Sequence, residues 1–173
     1  AVVFLGDAET GSFYKYPPCY ELLVIEANSM LVLDLSYPGV NQDEFKSDEN
    51  WTAFYGDVEE ALPPNAPKPL GREVTLRMFV DSDHAADKSD RRSRTGFMIF
   101  MNMAMIQWHS KKQATVEGAV FGAEFVAVKQ GVEELRGIRY KLRMMEVNID
   151  GPTYVYGDNM SVIHNTSTPE SVL

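Results

Sequence analysis

The chain has 173 residues, of which 45% are hydrophobic, and carries a formal net charge of −9 at pH 7. This length predicts one domain with a substantial core and excludes two full-sized domains. No apolar run approaches the ~18 residues that cross a bilayer, and no signal-peptide pattern precedes the first elements, so we expect a soluble, intracellular protein without a membrane partner. The single cysteine excludes a disulfide framework and a cysteine-based zinc site.

The acidic charge lies entirely in the first part of the chain. Residues 1–75 contain 4 basic and 13 acidic residues, whereas residues 76–173 contain 12 of each. Nucleic acids are bound by basic surfaces, which disfavours the first part as a binding surface. Divalent cations bound in the second part would make that part effectively more basic.

The composition changes near Arg72. The stretch before it is rich in Pro, Asn and acids and ends in PPNAPKPLG, which predicts an extended linker. We therefore predict an acidic, Pro-rich N-terminal segment, residues 1–72, and a folded domain, residues 73–173. Residues 20–35 are compatible with two strands or with a helix and a strand, and an aromatic cluster is expected to pack the acidic loop onto its own domain: Trp51, Phe54 and Tyr55.

Three short apolar runs open the second part. Residues 76–80 predict a strand that ends on Asp81, and residues 95–101 and 105–109 predict two more strands. Because only short turns join them, the three strands predict an antiparallel meander. A strand that delivers a carboxylate at its end is typical of a metal site, although Asp81 is also compatible with an Asx-turn.

A long helix is predicted over residues 119–145, where apolar residues recur at steps of three and four. Glu124 falls on this apolar stripe, where a carboxylate is costly unless it is paired, bound to a metal or able to reach water at the edge of the stripe. Gly131 and Gly137 weaken the helix interior, so a break into two helices is an alternative.

Residues 153–157 predict a further strand, which is followed by Asp158 and a short helix-compatible segment at residues 159–165. Asp158 is compatible with a helix N-cap. The right-handed crossover rule predicts that this strand returns parallel to the strand at residues 76–80, which would bring Asp81, Glu124 and Asp158 to one edge of the sheet. Three carboxylates suit a hard cation such as Mg²⁺, and a pair of such ions supports phosphodiester hydrolysis.

Four segments carry a resemblance to a known family: VDSDHAADKSDRRSRTGFMIF, IQWHSKKQATVE, FGAEFVAVKQGVEELRGIRYKL and YVYGDNMSVI. In order and spacing they resemble the ribonuclease H domain at the end of the polymerase polyprotein of copia-type LTR retrotransposons, over about residues 74–173. The resemblance implies an α/β, ribonuclease H-like mixed sheet, with an antiparallel three-stranded meander and a parallel strand after a crossover helix.

The resemblance also implies an activity and a site. The family cleaves the RNA strand of RNA:DNA hybrids with two Mg²⁺ ions, and Mn²⁺ is an alternative ion. Its first three metal carboxylates fall on Asp81, Glu124 and Asp158, which would be both catalytic and metal-binding. The implied partners are an RNA:DNA hybrid and the remainder of the polymerase polyprotein, in the cytoplasm, a virus-like particle or the nucleus. The oligomeric state is not indicated.

Basic residues near the substrate phosphates are also implied by the resemblance. They fall on Arg92, Lys111 and Lys112, although each is equally compatible with a solvated surface.

The sequence departs from the family pattern in several places. It stops at Leu173, where relatives continue into a last strand and a helix that supplies a fourth carboxylate, and it does not begin with Met, so we expect a truncated fragment. Without the last strand, residues 153–157 are expected to form an exposed edge. Gly118 stands where a polar helix cap is expected, and residues 1–30 do not resemble the polymerase sequence upstream. The alternative function is therefore a catalytically inactive remnant that at most binds nucleic acid.

Overall fold

The computed structural model describes residues 60–168 and the backbone of residues 2–5. The predicted element at residues 20–35, the aromatic cluster around Trp51 and the lone Cys19 lie outside this part of the chain. The described elements, in chain order, are β1 (Val2–Leu5), β2 (Leu70–Val74), β3 (Leu76–Asp83), β4 (Arg94–Met101), β5 (Ala104–Lys112), α1 (Val120–Met144), β6 (Val147–Ile149), β7 (Thr153–Tyr156) and α2 (Met160–Ser167).

Five of the described strands form one mixed sheet in the order β1-β7-β3-β4-β5. Strands β3, β4 and β5 pair antiparallel, which confirms the predicted meander. Strand β7 returns parallel to β3 after α1, which confirms the predicted crossover. The architecture is a mixed α/β fold with two described helices.

Strand β3 is longer than its apolar run predicted. It continues through Asp81 to Asp83, since β4 is long enough to pair with it and places Gly96 opposite Asp81 and Arg94 opposite Asp83. The alternative in which Asp81 forms an Asx-turn after the strand is therefore wrong. Asp81 lies within the ladder between β3 and β4, and this pairing fixes the position of its backbone.

Strand β1 lies on the outer side of β7. The two strands run parallel, from Val2 opposite Thr153 to Leu5 opposite Tyr156. The expectation that residues 153–157 form an exposed edge is therefore wrong, because the apolar run VVFL of the N-terminal segment pairs with this strand.

Helix α1 is continuous over 25 residues, so the predicted break into two helices is wrong. Gly131 allows the helix to approach β3 closely: a Cβ at this position would lie 2.8 Å from Cε of Met78. The core that the sheet forms with α1 and α2 contains Met78, Val80, Phe97, Ile99, Ala127, Val128, Leu135, Ile138, Val155 and Val162. Neither described helix combines the length and the apolar character that a membrane span requires.

A second, two-stranded sheet joins β2 to β6 in parallel at one end of α1. Residues 60–69 contain no strand or helix, as the prolines predicted, but Leu70 and Gly71 already belong to β2. The expected domain boundary at Arg72 thus falls inside β2. Residue Glu60, before this strand, forms ion pairs with Arg139 at 3.0 Å and with Arg143 at 3.1 Å, both on α1.

Candidate metal centre

Three carboxylates converge at one end of the sheet. Asp81, Glu124 and Asp158 each offer one oxygen, and these oxygens all lie within 4.8 Å of one another. The residues come from β3, from α1 and from the turn after β7. The structure therefore brings together the three candidate metal ligands that the sequence placed at one sheet edge.

The parallel pairing of β3 and β7 places two of these carboxylates side by side. Phe79 lies opposite Tyr156, and their rings stack with centroids 4.7 Å apart, which shows that both side chains project from the same face. Asp81 and Asp158 follow these aromatic residues by two positions each. Since side chains alternate along a strand, Asp81 continues the face marked by the two rings. Asp158 lies in the turn just after β7, and its carboxylate is close to that of Asp81.

Glu124 approaches from α1. It is the fifth residue of the helix and only 6% exposed, so the alternative in which its head group reaches water at the edge of the stripe is wrong. Ala123, Ala127 and Val128 are buried around it on the same helix. The helix thus delivers a carboxylate to the core side of the sheet edge, where an uncompensated negative charge is costly.

Burial and mutual repulsion raise the pKa of two members of the cluster. Burial is the larger cause for Asp81, and the charge of Asp158 adds to it, so the pKa of Asp81 rises to about 6. Burial also dominates for Glu124, and with the charges of Asp81 and Asp158 it raises the pKa of Glu124 to about 7, although hydrogen bonding to Ser82 opposes the shift. A cluster that resists ionisation in this way would be relieved by a bound cation.

Asp158 does not cap the following helix. Asn159 does so, since its Oδ1 accepts hydrogen bonds from the backbone N–H groups of Ser161 at 3.1 Å and Val162 at 3.2 Å. The N-cap alternative for Asp158 is therefore wrong. Its exposed carboxylate lies within the cluster instead.

The donor set fits a divalent cation. All three groups are carboxylates, which are the ligands that hard cations such as Mg²⁺, Mn²⁺ and Ca²⁺ prefer. The exposed side of Asp158 leaves room for water or substrate oxygens to complete the coordination. The cluster can hold a metal ion, and its chemistry does not by itself select one hard cation over another.

The candidate nucleic-acid-binding residues differ in their surroundings. Arg92 and Lys111 are exposed, and Arg92 Nε lies 3.7 Å from a carboxylate oxygen of Asp90. Lys112 instead forms ion pairs with Asp87 and Asp90, the latter at 3.3 Å. These contacts raise the pKa of Lys112, and its ammonium holds the pKa of Asp87 well below its usual range.

One residue close to the site was not singled out from the sequence. Gln113 follows the two lysines in the segment SKKQ and is 1% exposed, with hydrogen bonds to β4 and to α1. A polar residue at the end of an edge strand is ordinarily solvated, so nothing in the one-dimensional pattern predicts that this amide is buried.

Relatives of the chain are found among transposon proteins. Over 99 residues, or 57% of the chain, it is 28% identical to the retrovirus-related Pol polyproteins from transposons RE1 and RE2 of Arabidopsis thaliana. Over 94 residues it is 31% identical to the retrovirus-related Pol polyprotein from transposon TNT 1-94 of Nicotiana tabacum. The matched region is about 7% of the length of each of these relatives.

Two further comparisons gave no match. No protein-family model matches the chain, and no solved structure does. Over about 55% of its length, then, the chain is homologous to a region of retrovirus-related Pol polyproteins from transposons.

Proposed function

We propose that the chain contains the ribonuclease H domain of a retrotransposon Pol polyprotein, which hydrolyses the RNA strand of RNA:DNA hybrids with Mg²⁺. The observation that carries this proposal is the convergence of Asp81, Glu124 and Asp158 within 4.8 Å. These are the three positions that match the family's metal carboxylates. The homology to Pol polyproteins and the mixed sheet with its parallel crossover support the same function.

The residues of the cluster have distinct tasks in this proposal. Asp81 and Asp158, held by adjacent strands, and Glu124, held by α1, would bind the metal ions. Bound Mg²⁺ supplies positive charge that activates a water and stabilises the leaving oxygen of the phosphodiester. Because burial raises the pKa of Asp81 and Glu124 to about 6 and about 7, metal binding near neutral pH is coupled to proton release from the cluster.

The proposed substrate contacts lie on basic side chains. Arg92 and Lys111 are exposed and free to approach the phosphates of a hybrid, apart from the contact between Arg92 and Asp90. Lys112 is a weaker candidate in this position, because Asp87 and Asp90 already offset its charge.

The test is a cleavage assay on the full chain with a labelled RNA:DNA hybrid, with duplex DNA and duplex RNA as controls. We expect Mg²⁺-dependent cutting of the RNA strand of the hybrid and none in chelator. Asp81→Asn should lower the rate by about 10³-fold, the size of effect of removing one preorganised charge-stabilising group. The matched control is Asp83→Asn, which neutralises an exposed carboxylate two residues further along β3 and should retain most of the activity.

Two outcomes would overturn the proposal. Cutting that survives Asp81→Asn would show that the carboxylate cluster is not responsible. Hybrid binding that weakens with salt, with no cut product at any Mg²⁺ concentration, would identify the chain as an inactive nucleic-acid-binding remnant.

A further inference from the structure

Gln113 lies at the end of β5 and is buried, with 1% of its surface exposed. Its side-chain Nε2 donates hydrogen bonds to Oγ1 of Thr95 at 3.1 Å and to the backbone carbonyl of Ala123 at 2.9 Å. Its backbone N–H donates to the carbonyl of Ser93 at 2.8 Å. One residue thus connects β4, the loop before it and the first turns of α1.

Both partners of the side chain are next to the carboxylate cluster. Thr95 is paired across the ladder with Ser82, which directly follows Asp81 on β3. Ala123 directly precedes Glu124 on α1. The amide of Gln113 therefore bridges the sheet that carries Asp81 and the helix that carries Glu124.

The start of α1 lacks the capping interactions that usually stabilise the first turn of a helix. Its N-cap residue, Ala119, makes no side-chain capping hydrogen bond, and the first turn contains no acidic residue. Uncapped helix starts fray, because their first N–H groups lack intrahelical partners. Glu124 lies only five residues into this helix and faces repulsion from Asp81 and Asp158, which hydrogen bonding to Ser82 offsets only in part. A lateral contact on this turn of the helix would therefore help to hold Glu124 in the cluster.

The Gln113 side chain makes its contacts with β4 and α1 through its NH₂ group. A backbone carbonyl can only accept, so the contact with Ala123 assigns the nitrogen to that side. The other end, Oε1, is buried without a hydrogen-bond partner in the described part of the chain.

We propose that Gln113 is a positioning residue that holds the first turns of α1 against β4 and thereby keeps Glu124 at the metal site. This inference rests on the proposed function, since it assigns the metal site a supporting residue. Gln113 acts through Ala123 and Thr95 and has no assigned contact with metal or substrate.

The experiment compares Gln113→Met with Gln107→Met in the full chain. Gln107 lies on β5 and also ties this strand to α1, through a hydrogen bond from its Nε2 to Glu134 at 2.8 Å. Its contact lies ten residues beyond Glu124 along the helix. The two variants therefore remove the same chemical group, one from β5 and one from the residue directly after it, and differ in how close the lost contact is to the cluster.

Two measurements separate positioning from general stability. Calorimetric titration with Mn²⁺ should show an affinity about tenfold lower for Gln113→Met, as for groups that orient metal ligands, and unchanged for Gln107→Met. Hydrogen exchange on the metal-free proteins should show faster exchange at the amides of residues 124–128 in Gln113→Met alone. If Gln113→Met does not fold, Thr95→Val removes one of the two side-chain contacts, and it should weaken Mn²⁺ binding in the same direction.

The outcomes distinguish this inference from the proposed function. If the wild type binds Mn²⁺ no more tightly than Asp81→Asn does, the three carboxylates do not form a metal site, and the proposed function fails with it. If Asp81→Asn abolishes Mn²⁺ binding but Gln113→Met binds Mn²⁺ as tightly as Gln107→Met and the wild type, the metal site stands and the role of Gln113 is overturned.

Discussion

Asp81 on β3 and Asp158, two residues after the end of β7, keep the register of two neighbouring parallel strands. The pairing of β3 with β7 runs from Arg77 opposite Tyr154 to Phe79 opposite Tyr156, a constant offset of 77 residues, and the same offset separates Asp81 from Asp158. Two like charges at one level of a sheet repel each other, and this repulsion is the feature on which metal binding and pH dependence both depend.

Removing one of these charges should lower the pKa of the other two carboxyls. In metal-free Asp158→Asn, we expect the pKa of Asp81 and of Glu124 to fall below about 6 and about 7, because the charge of Asp158 contributes to both shifts. Burial is the larger cause and persists, so both values should stay above the usual 3.8 and 4.5. A ¹³C NMR titration of the side-chain carboxyls measures this, and unchanged values would show that Asp158 does not interact with the other two groups.

The free energy of unfolding of the metal-free protein should depend on pH because of these raised pKa values. A carboxyl whose pKa is raised by folding stabilises the fold below its unfolded pKa, near 3.8 for Asp81, and this contribution is lost as the pH rises through about 6. Asp81→Asn should therefore stabilise the protein more at pH 8 than at pH 5, by about 1 kcal/mol after allowance for solvent screening. Urea unfolding in chelator at both pH values measures the difference.

Saturating Mg²⁺ should reverse the order of the two proteins at pH 8. A ligand that binds only the folded state adds about 2.7 kcal/mol at one hundred times its Kd, and Asp81→Asn forfeits much of this gain. If the wild type gained nothing from Mg²⁺, the cluster would not be a magnesium site.

Lys111 and Lys112 should differ in their contribution to hybrid binding, although they are adjacent. Lys112 is paired with Asp87 and Asp90, whereas Lys111 is exposed. Lys111→Gln should reduce the slope of log affinity against log salt by about 1, the contribution of one phosphate contact. Lys112→Gln should change the slope less. Fluorescence anisotropy over a salt series measures both, and equal slopes would contradict the difference in their surroundings.

The ion pairs of Glu60 should contribute to stability. The side chain of Arg139 is 8% exposed and that of Glu60 27%, and hydrogen bonds to Thr153 and to the carbonyl of Gly151 fix the guanidinium. Glu60→Gln leaves the positive charge of Arg139 without its carboxylate partner. We expect the free energy of unfolding to fall by about 2 kcal/mol, less than for a fully buried pair. The exposed Glu73 provides the control, since Glu73→Gln should change the unfolding free energy by less than ~0.5 kcal/mol.

The charge of Glu60 also predicts a pH dependence of the opposite sign to that of Asp81. Burial alone would raise the pKa of Glu60, but hydrogen bonds and charge interactions with Arg139 and Arg143 outweigh it and hold the pKa below 4.5. The stabilisation is therefore complete above the unfolded pKa and is lost as the pH falls through the lower folded pKa.

Two glycines of α1 should respond in opposite ways to alanine. A Cβ at Gly137 meets no atom within 4 Å, so Gly137→Ala should stabilise the protein by up to about 1 kcal/mol through helix propensity. A Cβ at Gly131 would lie 2.8 Å from Cε of Met78, which is fully buried. Gly131→Ala should therefore gain nothing or destabilise. Equal gains at both positions in urea unfolding would show that the helix is not close to β3.

The helix and strands around the cluster were predictable from the sequence, because each has a regular spacing of apolar residues or an apolar run that stops at a polar residue. The apolar stripe of α1 and the carboxylates after two apolar runs were sufficient to place Asp81, Glu124 and Asp158 together. The alternatives for these residues were local ones, an Asx-turn and an N-cap, and they failed for tertiary reasons. The pairing with Gly96 extends β3 beyond Asp81, and Asn159 provides the N-cap that was the alternative role for Asp158.

Contacts between distant parts of the chain were not predictable from local patterns. The pairing of β1 with β7 joins residues about 150 positions apart, and the ion pair between Glu60 and Arg139 joins residues 79 positions apart. Neither contact produces a periodic pattern in the sequence, since each depends on how the complete fold brings distant segments together. The burial of Gln113 has the same origin, because β4 and α1 enclose it from two sides.

The position of β1 affects how this protein can be divided for experiment. A fragment that starts at residue 73, where the composition suggests a cut, would lack β1, three of the five residues of β2 and the carboxylate of Glu60. Its β7 would present unpaired backbone N–H and C=O groups, which invite association with a second chain. Poor behaviour of such a fragment would then reflect a missing strand, and the first residues of the chain belong in any sample used to judge its chemistry.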